Sequence, residues 1–229
     1  MSELRKNIPH IPMPRGSAMC GAACLKMLLT YYGRTRDMNT IWGSIKGRDR
    51  FTGRENCRTY KMVQYAQQAG LWSAAVTCDD PLRLIDICLQ GDIGMAIMYR
   101  PDLSSPYAHF SVVIGKDDSA VYVNDPEMKA SKGAGLAIPS DELAQRMERV
   151  PGAEIGKSYT FVLMGRTNLP LSGYTGVLHF SQEQKSFSLP SCLDGLPLCA
   201  LCLDNDQWFA SISRIDSSQP RIIPTPPAP

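Results

Sequence analysis

Cys20, His109 and Asp125 are the residues of this chain whose types and surroundings could together perform nucleophilic catalysis. Cys20 opens an apolar helical pattern, in the stretch Met-Cys-Gly-Ala-Ala-Cys-Leu-Lys-Met-Leu-Leu-Thr-Tyr-Tyr-Gly of residues 19–33. A helix N-terminus carries a partial positive charge and stabilises a thiolate, which is the nucleophilic form of cysteine. A histidine can activate such a thiol, and a carboxylate can orient the histidine. The three residues therefore predict a cysteine nucleophile with a supporting histidine and carboxylate.

The spacing of His109 and Asp125 predicts that the two side chains meet. His109 begins an apolar strand pattern, and Asp125 follows the next strand, immediately before Pro126. A turn at residues 116–119 would pair these strands antiparallel and bring both residues to one end of a sheet. Considered alone, His109 could equally be a histidine buried in the core, and the Asp-Pro pair could equally mark a turn.

Two neighbours of Cys20 have different expected roles. Cys24 lies one turn further into the helix, where burial favours a neutral structural thiol. Gly21 lacks a side chain, which we interpret as space for a substrate backbone to approach the thiol.

Along the chain, the spacing of hydrophobic residues changes from a helical to an extended pattern. We predict helices at residues 17–32 or 20–32, then at 37–45, 59–69, 81–90 and 140–149, with a polar loop at 46–56. We predict strands at residues 93–99, 109–115, 120–124 and 159–166. This order is typical of an α+β fold in which a helical N-terminal half packs on an antiparallel sheet.

The C-terminal part has a different character. Short strand patterns at residues 175–181, 185–189, 198–203 and 208–215 are separated by turn signals. We therefore expect one domain over residues 1–168, a small β module over 169–216, and a disordered tail rich in Pro and Ser over 217–229. The β module is also where a protein partner could bind.

Composition excludes several classes of function. The 229 residues are 44% hydrophobic and 20% charged, with a net charge of +2, which favours a globular protein without a nucleic-acid or membrane partner. The first residues lack the apolar stretch of a signal peptide, and no stretch is long enough to span a membrane. We expect a cytoplasmic protein with reduced thiols, and export by a signal-independent route stays open. No cofactor is expected.

A zinc site is the one metal site that the sequence suggests. Its ligands would be Cys192, Cys199 and Cys202, with His179 upstream. The sequence around these cysteines is too apolar for a zinc knuckle, so we expect no metal.

The motifs around the three catalytic candidates carry a family resemblance. The Cys-Gly-x-x-Cys-Leu-x-Met helix ending in Tyr-Tyr-Gly, the later His-Phe-x-Val-Val-x-Gly strand, and the Asp-Pro pair resemble the bacteriocin-processing, double-glycine leader peptidases of the papain-like clan. The chain is similar to stand-alone members that lack the transporter domains. The resemblance covers residues 10–165 and implies a papain-like fold, with Cys20 as nucleophile, His109 as general base and acid, and Asp125 as orienting group.

The chain departs from the family at the oxyanion donor. The family has a glutamine six residues before the cysteine, where this chain has Pro14. Proline has no N–H and no side-chain donor, and loss of one such donor costs about 10²–10³ in rate. We expect a substitute beside the Cys20 N–H, and the candidates are Ser17, Arg15, Asn56 and Gln64.

The resulting interpretation is a cysteine peptidase that cleaves a peptide or protein, either a leader-processing peptidase or a delivered effector. Two alternatives stay open. The same triad could perform deamidation or acyl transfer to another acceptor, or Pro14 could mark a non-catalytic peptide-binding module.

Overall fold

The computed structural model describes residues 4–48, 53–78, 80–105, 107–148 and 159–166, together with the backbone of four later strands. The helices are α1 (Cys20–Tyr31), α2 (Met38–Ile45), α3 (Thr59–Gln68), α4 (Pro81–Gln90), α5 (Ala130–Gly133) and α6 (Ser140–Met147). The strands in the first half are β1 (Leu4–Arg5), β2 (Lys46–Arg48), β3 (Glu55–Cys57), β4 (Leu71–Cys78) and β5 (Ile93–Tyr99). They are followed by β6 (His109–Lys116), β7 (Ala120–Asn124), β8 (Leu136–Pro139), β9 (Thr160–Arg166), β10 (Tyr174–Phe180), β11 (Lys185–Pro190), β12 (Leu198–Asp204) and β13 (Gln207–Ala210).

One large antiparallel sheet organises the fold. Its strand order is β13-β12-β4-β9-β5-β6-β7-β8, and β1 pairs with β6 at a separate position. Helices α1, α2 and α3 cover one face through a core cluster that includes Leu25, Ile41 and Met62. Helices α4 and α6 cover the other face through a cluster that includes Leu84 and Leu143. The central strands are therefore buried on both sides, as the unbroken burial of β5 shows.

Sequence signals mark the starts of α2 and α4 and the end of α1. The Asp37 carboxylate accepts a hydrogen bond from the Thr40 N–H at 2.9 Å and caps α2, and Asp80 accepts one from the Arg83 N–H at 3.0 Å and caps α4. The chain leaves α1 through Gly33, whose φ of 75° is a conformation that favours glycine. The α+β fold class expected from the sequence is confirmed.

Several segments differ from the prediction, among them β1, α5 and β8, which the sequence patterns did not predict. The loop expected over residues 46–56 instead contains β2 and β3, which pair with Lys46 opposite Cys57 and Arg48 opposite Glu55. Strand β4 was not predicted, because its sequence Leu-Trp-Ser-Ala-Ala-Val-Thr-Cys is rich in small residues and has few of the β-branched residues that signal a strand. It pairs with β9 from Leu71 to Thr77.

The four strands expected within residues 169–216 are present as β10 to β13. Strands β10 and β11 pair only with each other, whereas β12 pairs with β4 at the edge of the large sheet. The domain boundary at residue 168 stays a prediction, and the tail over 217–229 lies outside the described residues. Within the described part of the chain, no helix is both long and apolar enough to cross a bilayer.

Candidate active site

Cys20 is the first residue of α1, and its side chain is half-buried. The turn before the helix is held by two bonds: the Ser17 N–H donates to the Pro14 carbonyl at 3.1 Å, and the Met19 N–H donates to Ser17 Oγ at 3.4 Å. The Cys20 N–H is one of the amides at the helix start that have no carbonyl partner within the helix. The thiol therefore lies in the positive field of the helix terminus.

The extended segment before α1 ties this helix to the strand end that carries Asp125. The Met13 N–H donates to the Pro126 carbonyl at 2.7 Å, and Asn124 Nδ2 donates to the Ile8 carbonyl at 2.8 Å. His10 Nε2 lies 2.8 Å from the Asp125 carbonyl oxygen and donates to it. The backbone on both sides of the site is thus fixed by hydrogen bonds between segments distant in sequence.

His109 and Asp125 form a buried pair, as the hairpin of β6 and β7 predicts. His109 Nε2 lies 2.8 Å from Asp125 Oδ1, and both side chains are almost fully buried. Because Asp125 occupies Nε2, the hydrogen bond between His109 and Cys20 uses Nδ1. The imidazole therefore lies between the thiol and the carboxylate. Glu127 adds a second carboxylate at the mouth of the site, with Oε2 3.9 Å from His109 Nδ1.

Tyr99 is a residue of the site that sequence reasoning missed. It lies directly opposite His109 in the pairing of β5 with β6, and its hydroxyl donates to Asp125 Oδ2 at 2.9 Å and lies 3.1 Å from Ser111 Oγ. The Glu127 N–H donates to Asp125 Oδ1 at 2.9 Å. Asp125 is therefore held by donors on both oxygens. The available signal was a tyrosine at a strand end beside the histidine, which is also typical of a core residue.

The charges of the triad candidates stabilise one another. A hydrogen bond with Cys57, together with the hydrogen bond and charge of His109, outweighs burial and holds the pKa of Cys20 well below its usual range. Burial lowers the pKa of His109, but bonds to Asp125 and Cys20 outweigh it and raise that pKa to about 10. Burial also opposes ionisation of Asp125, yet His109 and the other donors keep its pKa below the usual value. The site therefore favours a thiolate beside an imidazolium at neutral pH.

The space beside Gly21 is filled by protein rather than open to a substrate. A Cβ at Gly21 would lie 2.6 Å from Cys57 Sγ, 2.9 Å from Cys57 Cβ and 3.1 Å from Met62 Sδ. The interpretation of Gly21 as a gap for a substrate backbone is therefore wrong, because the Cys57 side chain occupies that gap. Cys24 is fully buried, and burial raises the pKa of its thiol, as expected for a structural cysteine.

The four oxyanion candidates lie at different places around the site. Ser17 uses its hydroxyl oxygen as an acceptor in the turn before α1, and Arg15 is exposed in the same turn. Asn56 lies in β3 next to Cys57, and its Oδ1 atom is buried without a hydrogen-bond partner. Gln64 is half-buried on α3. Their role as oxyanion donors stays a prediction.

We searched the residues with described side chains for a group that could bind a metal ion. Those residues contain no group of three or more His, Cys, Asp or Glu side chains suited to a metal ion. The cysteines of the suggested zinc site and His179 lie outside the residues with described side chains.

Comparison with known proteins adds independent information. Residues 15–136 match the Peptidase C39 family. The fold is similar to a putative C39-like peptidase from Bacillus anthracis, with 16% identity, a TM-score of 0.56, and coverage of 72% of this chain and 98% of that one. It is also similar to the peptidase domain of Streptococcus ComA, a bi-functional ABC transporter of a quorum-sensing pathway, with 13% identity, a TM-score of 0.51, and coverage of 70% and 99%.

A third solved structure is a double-glycine-motif protease from an AMS/PCAT transporter in complex with the leader peptide. It shares 21% identity with a TM-score of 0.49, over 70% of this chain and 94% of that one. No curated protein matches the chain in sequence.

Proposed function

The chain belongs to the peptidase C39 family and is a cysteine peptidase, and from this premise we propose that it cleaves a peptide or protein with Cys20, His109 and Asp125 as its catalytic triad. The observation that carries the proposal is the position of His109 between the Cys20 thiol and the Asp125 carboxylate. This arrangement has the parts that nucleophilic acyl chemistry needs: a nucleophile, a base and an orienting group.

In the first half of the reaction, the Cys20 thiolate attacks the carbonyl carbon of the scissile peptide bond. The carbonyl oxygen becomes an oxyanion beside the Cys20 N–H at the start of α1. His109, which already carries a proton on Nδ1, gives it to the leaving amine nitrogen as the carbon–nitrogen bond breaks. The products of this half are a free amine and a thioester on Cys20.

In the second half, water replaces the amine. His109 Nδ1 removes a proton from the water as its oxygen attacks the thioester carbonyl. The carbon–sulfur bond then breaks, releasing the acid product and restoring the Cys20 thiolate with its imidazolium partner. Asp125 keeps Nε2 protonated throughout, which leaves Nδ1 as the nitrogen that exchanges protons.

Exposed apolar side chains lie close in sequence to His109 and Asp125. The large apolar side chains that are exposed among the described residues are Leu103, Tyr107 and Met128. Leu103 and Tyr107 lie in the loop that leads to His109, and Met128 lies three residues after Asp125. We assign these side chains to contacts with apolar residues of the substrate.

The test is to incubate the purified protein with a panel of peptides, including double-glycine leader sequences, and to identify products by mass. Cleavage yields two fragments that together carry one added water, deamidation adds one mass unit, and acyl transfer joins fragments. Cys20→Ala and His109→Ala should abolish turnover, and Asp125→Ala should reduce it by a smaller factor. An active His109→Ala variant with intact fold would remove the triad, and products without cleavage would favour one of the alternative reactions.

A further inference from the structure

Cys57 lies against the first turn of α1, although it belongs to β3 in a different part of the chain. The contact is close: a Cβ placed on Gly21 would be 2.6 Å from Cys57 Sγ. A side chain at position 21 and the Cys57 side chain therefore compete for one space, and the glycine leaves that space to the thiol. Cys57 itself is half-buried.

The hydrogen bonds of Cys57 determine which atom its single proton is donated to. The Gly21 N–H donates to Cys57 Sγ, and Cys57 and Cys20 share a second hydrogen bond. Because a thiol has only one proton and Gly21 supplies its own, the Cys57 proton is available to Cys20 Sγ. The bond to Cys20, with burial in support, raises the pKa of Cys57 well above its usual value. Cys57 therefore stays a neutral donor.

The backbone around Cys57 keeps the thiol in place. Cys57 pairs with Lys46 in the two-stranded sheet of β2 and β3, and the Arg58 N–H donates to the Ile45 carbonyl at 3.0 Å. Lys61 Nζ donates to the Lys46 carbonyl at 2.9 Å. These bonds connect the end of α2, strand β3 and the start of α3, so the donor is presented by a supported element.

We propose that Cys57 is a positioning residue of the peptidase, whose thiol donates a hydrogen bond to Cys20 Sγ and holds that sulfur as an anion facing His109. The proposal rests on the function proposed above, in which Cys20 is the nucleophile. The anion has donors on several sides: Cys57 from β3, and the His109 ring and the Phe110 N–H from β6.

A hydrogen-bond donor to the Cys20 sulfur has two opposite effects on the rate at which that sulfur reacts. A donor to the sulfur increases the fraction of thiolate at neutral pH, but it also withdraws electron density and makes that thiolate less nucleophilic. Removing the donor should therefore reduce reactivity at low pH and increase it at high pH. Simple damage to the site would reduce reactivity at every pH, so the two explanations are separable.

The experiment measures alkylation of Cys20 by iodoacetamide against pH, with peptide mapping to isolate Cys20 from the other thiols and a phosphine reductant to keep both cysteines reduced. Cys57→Ala and Cys57→Val both delete the donor, the first with a smaller side chain and the second with one of similar size. We expect both to move the acidic limb of the profile upward by about one pH unit, as for one hydrogen bond to a charged acceptor. The plateau rate should rise about threefold, from a Brønsted coefficient of about 0.4–0.5.

Two further variants complete the test. Cys57→Ser keeps a donor and should keep the acidic limb close to that of the parent protein. Cys88→Ala removes a buried thiol from the opposite core and should leave the profile unchanged. The titratable groups around Cys20 are Cys24, Cys57 and His109, with Asp125 and Glu127 next to His109, and these variants leave all but Cys57 in place.

The outcomes separate this inference from the proposed function. An acidic limb that stays in place in Cys57→Ala and Cys57→Val, or a plateau that only falls, would overturn the role of Cys57 while leaving the triad intact. A parent protein in which Cys20 has the reactivity of an ordinary thiol would instead overturn the proposed function.

Discussion

Replacing Tyr99 with phenylalanine removes one hydroxyl that contacts Asp125 of the proposed triad, while leaving the ring in place. The ring is almost fully buried, so phenylalanine fills the same volume. The lost hydroxyl donates to Asp125 Oδ2 at 2.9 Å and contacts Ser111 Oγ at 3.1 Å. Burial and the nearby Asp125 charge raise the pKa of Tyr99, so the hydroxyl is a proton donor across the working range.

The structure sets the size of the expected effect. A hydrogen bond to a charged acceptor contributes about 1.5–3 kcal/mol, so the free energy of unfolding should fall by about 2 kcal/mol. Asp125 Oδ1 keeps His109 Nε2 at 2.8 Å and the Glu127 N–H at 2.9 Å, so the carboxylate still orients the imidazole, but less firmly. We expect kcat/KM to fall about tenfold, equivalent to about 1.4 kcal/mol of transition-state stabilisation. That is far less than the roughly 10⁴-fold loss when a triad carboxylate is disabled.

The assay is kcat/KM on a cleaved peptide, with unfolding by urea measured on the same samples. Tyr122→Phe is the matched control, because the Tyr122 hydroxyl also donates to an aspartate, Asp117, but in the turn at the opposite end of β6 and β7. It should lower stability without changing kcat/KM. A Tyr99→Phe protein that loses stability but keeps kcat/KM within twofold of the parent would refute a role for Tyr99 in orienting Asp125.

Four further predictions concern the same site. The value of kcat/KM should rise with pH through the lowered pKa of Cys20 and fall as His109 loses its proton near pH 10; a single limb near the ordinary cysteine value of about 8.5 would exclude the ion pair. The unfolding free energy should be compared with that of a Cys20→Ala, His109→Ala double variant. The difference should rise with pH up to about 6.5, because in this range the unfolded chain binds one more proton than the native pair. It should stay level to about pH 8.5 and fall above that. Gly21→Ala should destabilise the fold by about 1–3 kcal/mol and disturb Cys57, and a stability equal to that of the parent in thermal unfolding would show that Cys57 can move aside. Pro14→Gln restores the family's donor and should leave activity within threefold if another group already serves the oxyanion, whereas a gain of tenfold or more would show that the oxyanion site lacks a second donor.

The parts of the site that the sequence predicts are those built by local pattern. Helix α1 follows from its apolar stripe, and the meeting of His109 and Asp125 follows from two adjacent strands and one short turn. Tyr99 and Cys57 could not be found in this way. A tyrosine at the end of an apolar strand and a cysteine in a polar, arginine-rich segment give no local signal, since their roles depend on which distant elements lie beside them.

The same reasoning explains the missed strand β4. Its residues Leu71 to Thr77 pair with Arg166 to Thr160 of β9, almost a hundred positions later in the chain. A strand of small residues becomes a strand because a partner is present on each side, and the identity of that partner is not encoded within its own window. The fold class was still predictable, because it depends on the order of the stronger helix and strand patterns.

The sequence separation of the residues in the site affects when the site forms during synthesis and folding. His10 and Asp125, which are hydrogen-bonded in the native state, are 115 positions apart, whereas His109 and Asp125 are only 16 apart. The hairpin pair can form by closing a short loop, but Cys20 meets His109 only after a long one has closed. A nascent chain therefore exposes Cys20 early as an ordinary thiol, without the neighbours that ionise it. Under the proposed function, the reactive form of Cys20 arises only when β6 and β7 have been synthesised and docked, so peptidase activity depends on the finished fold.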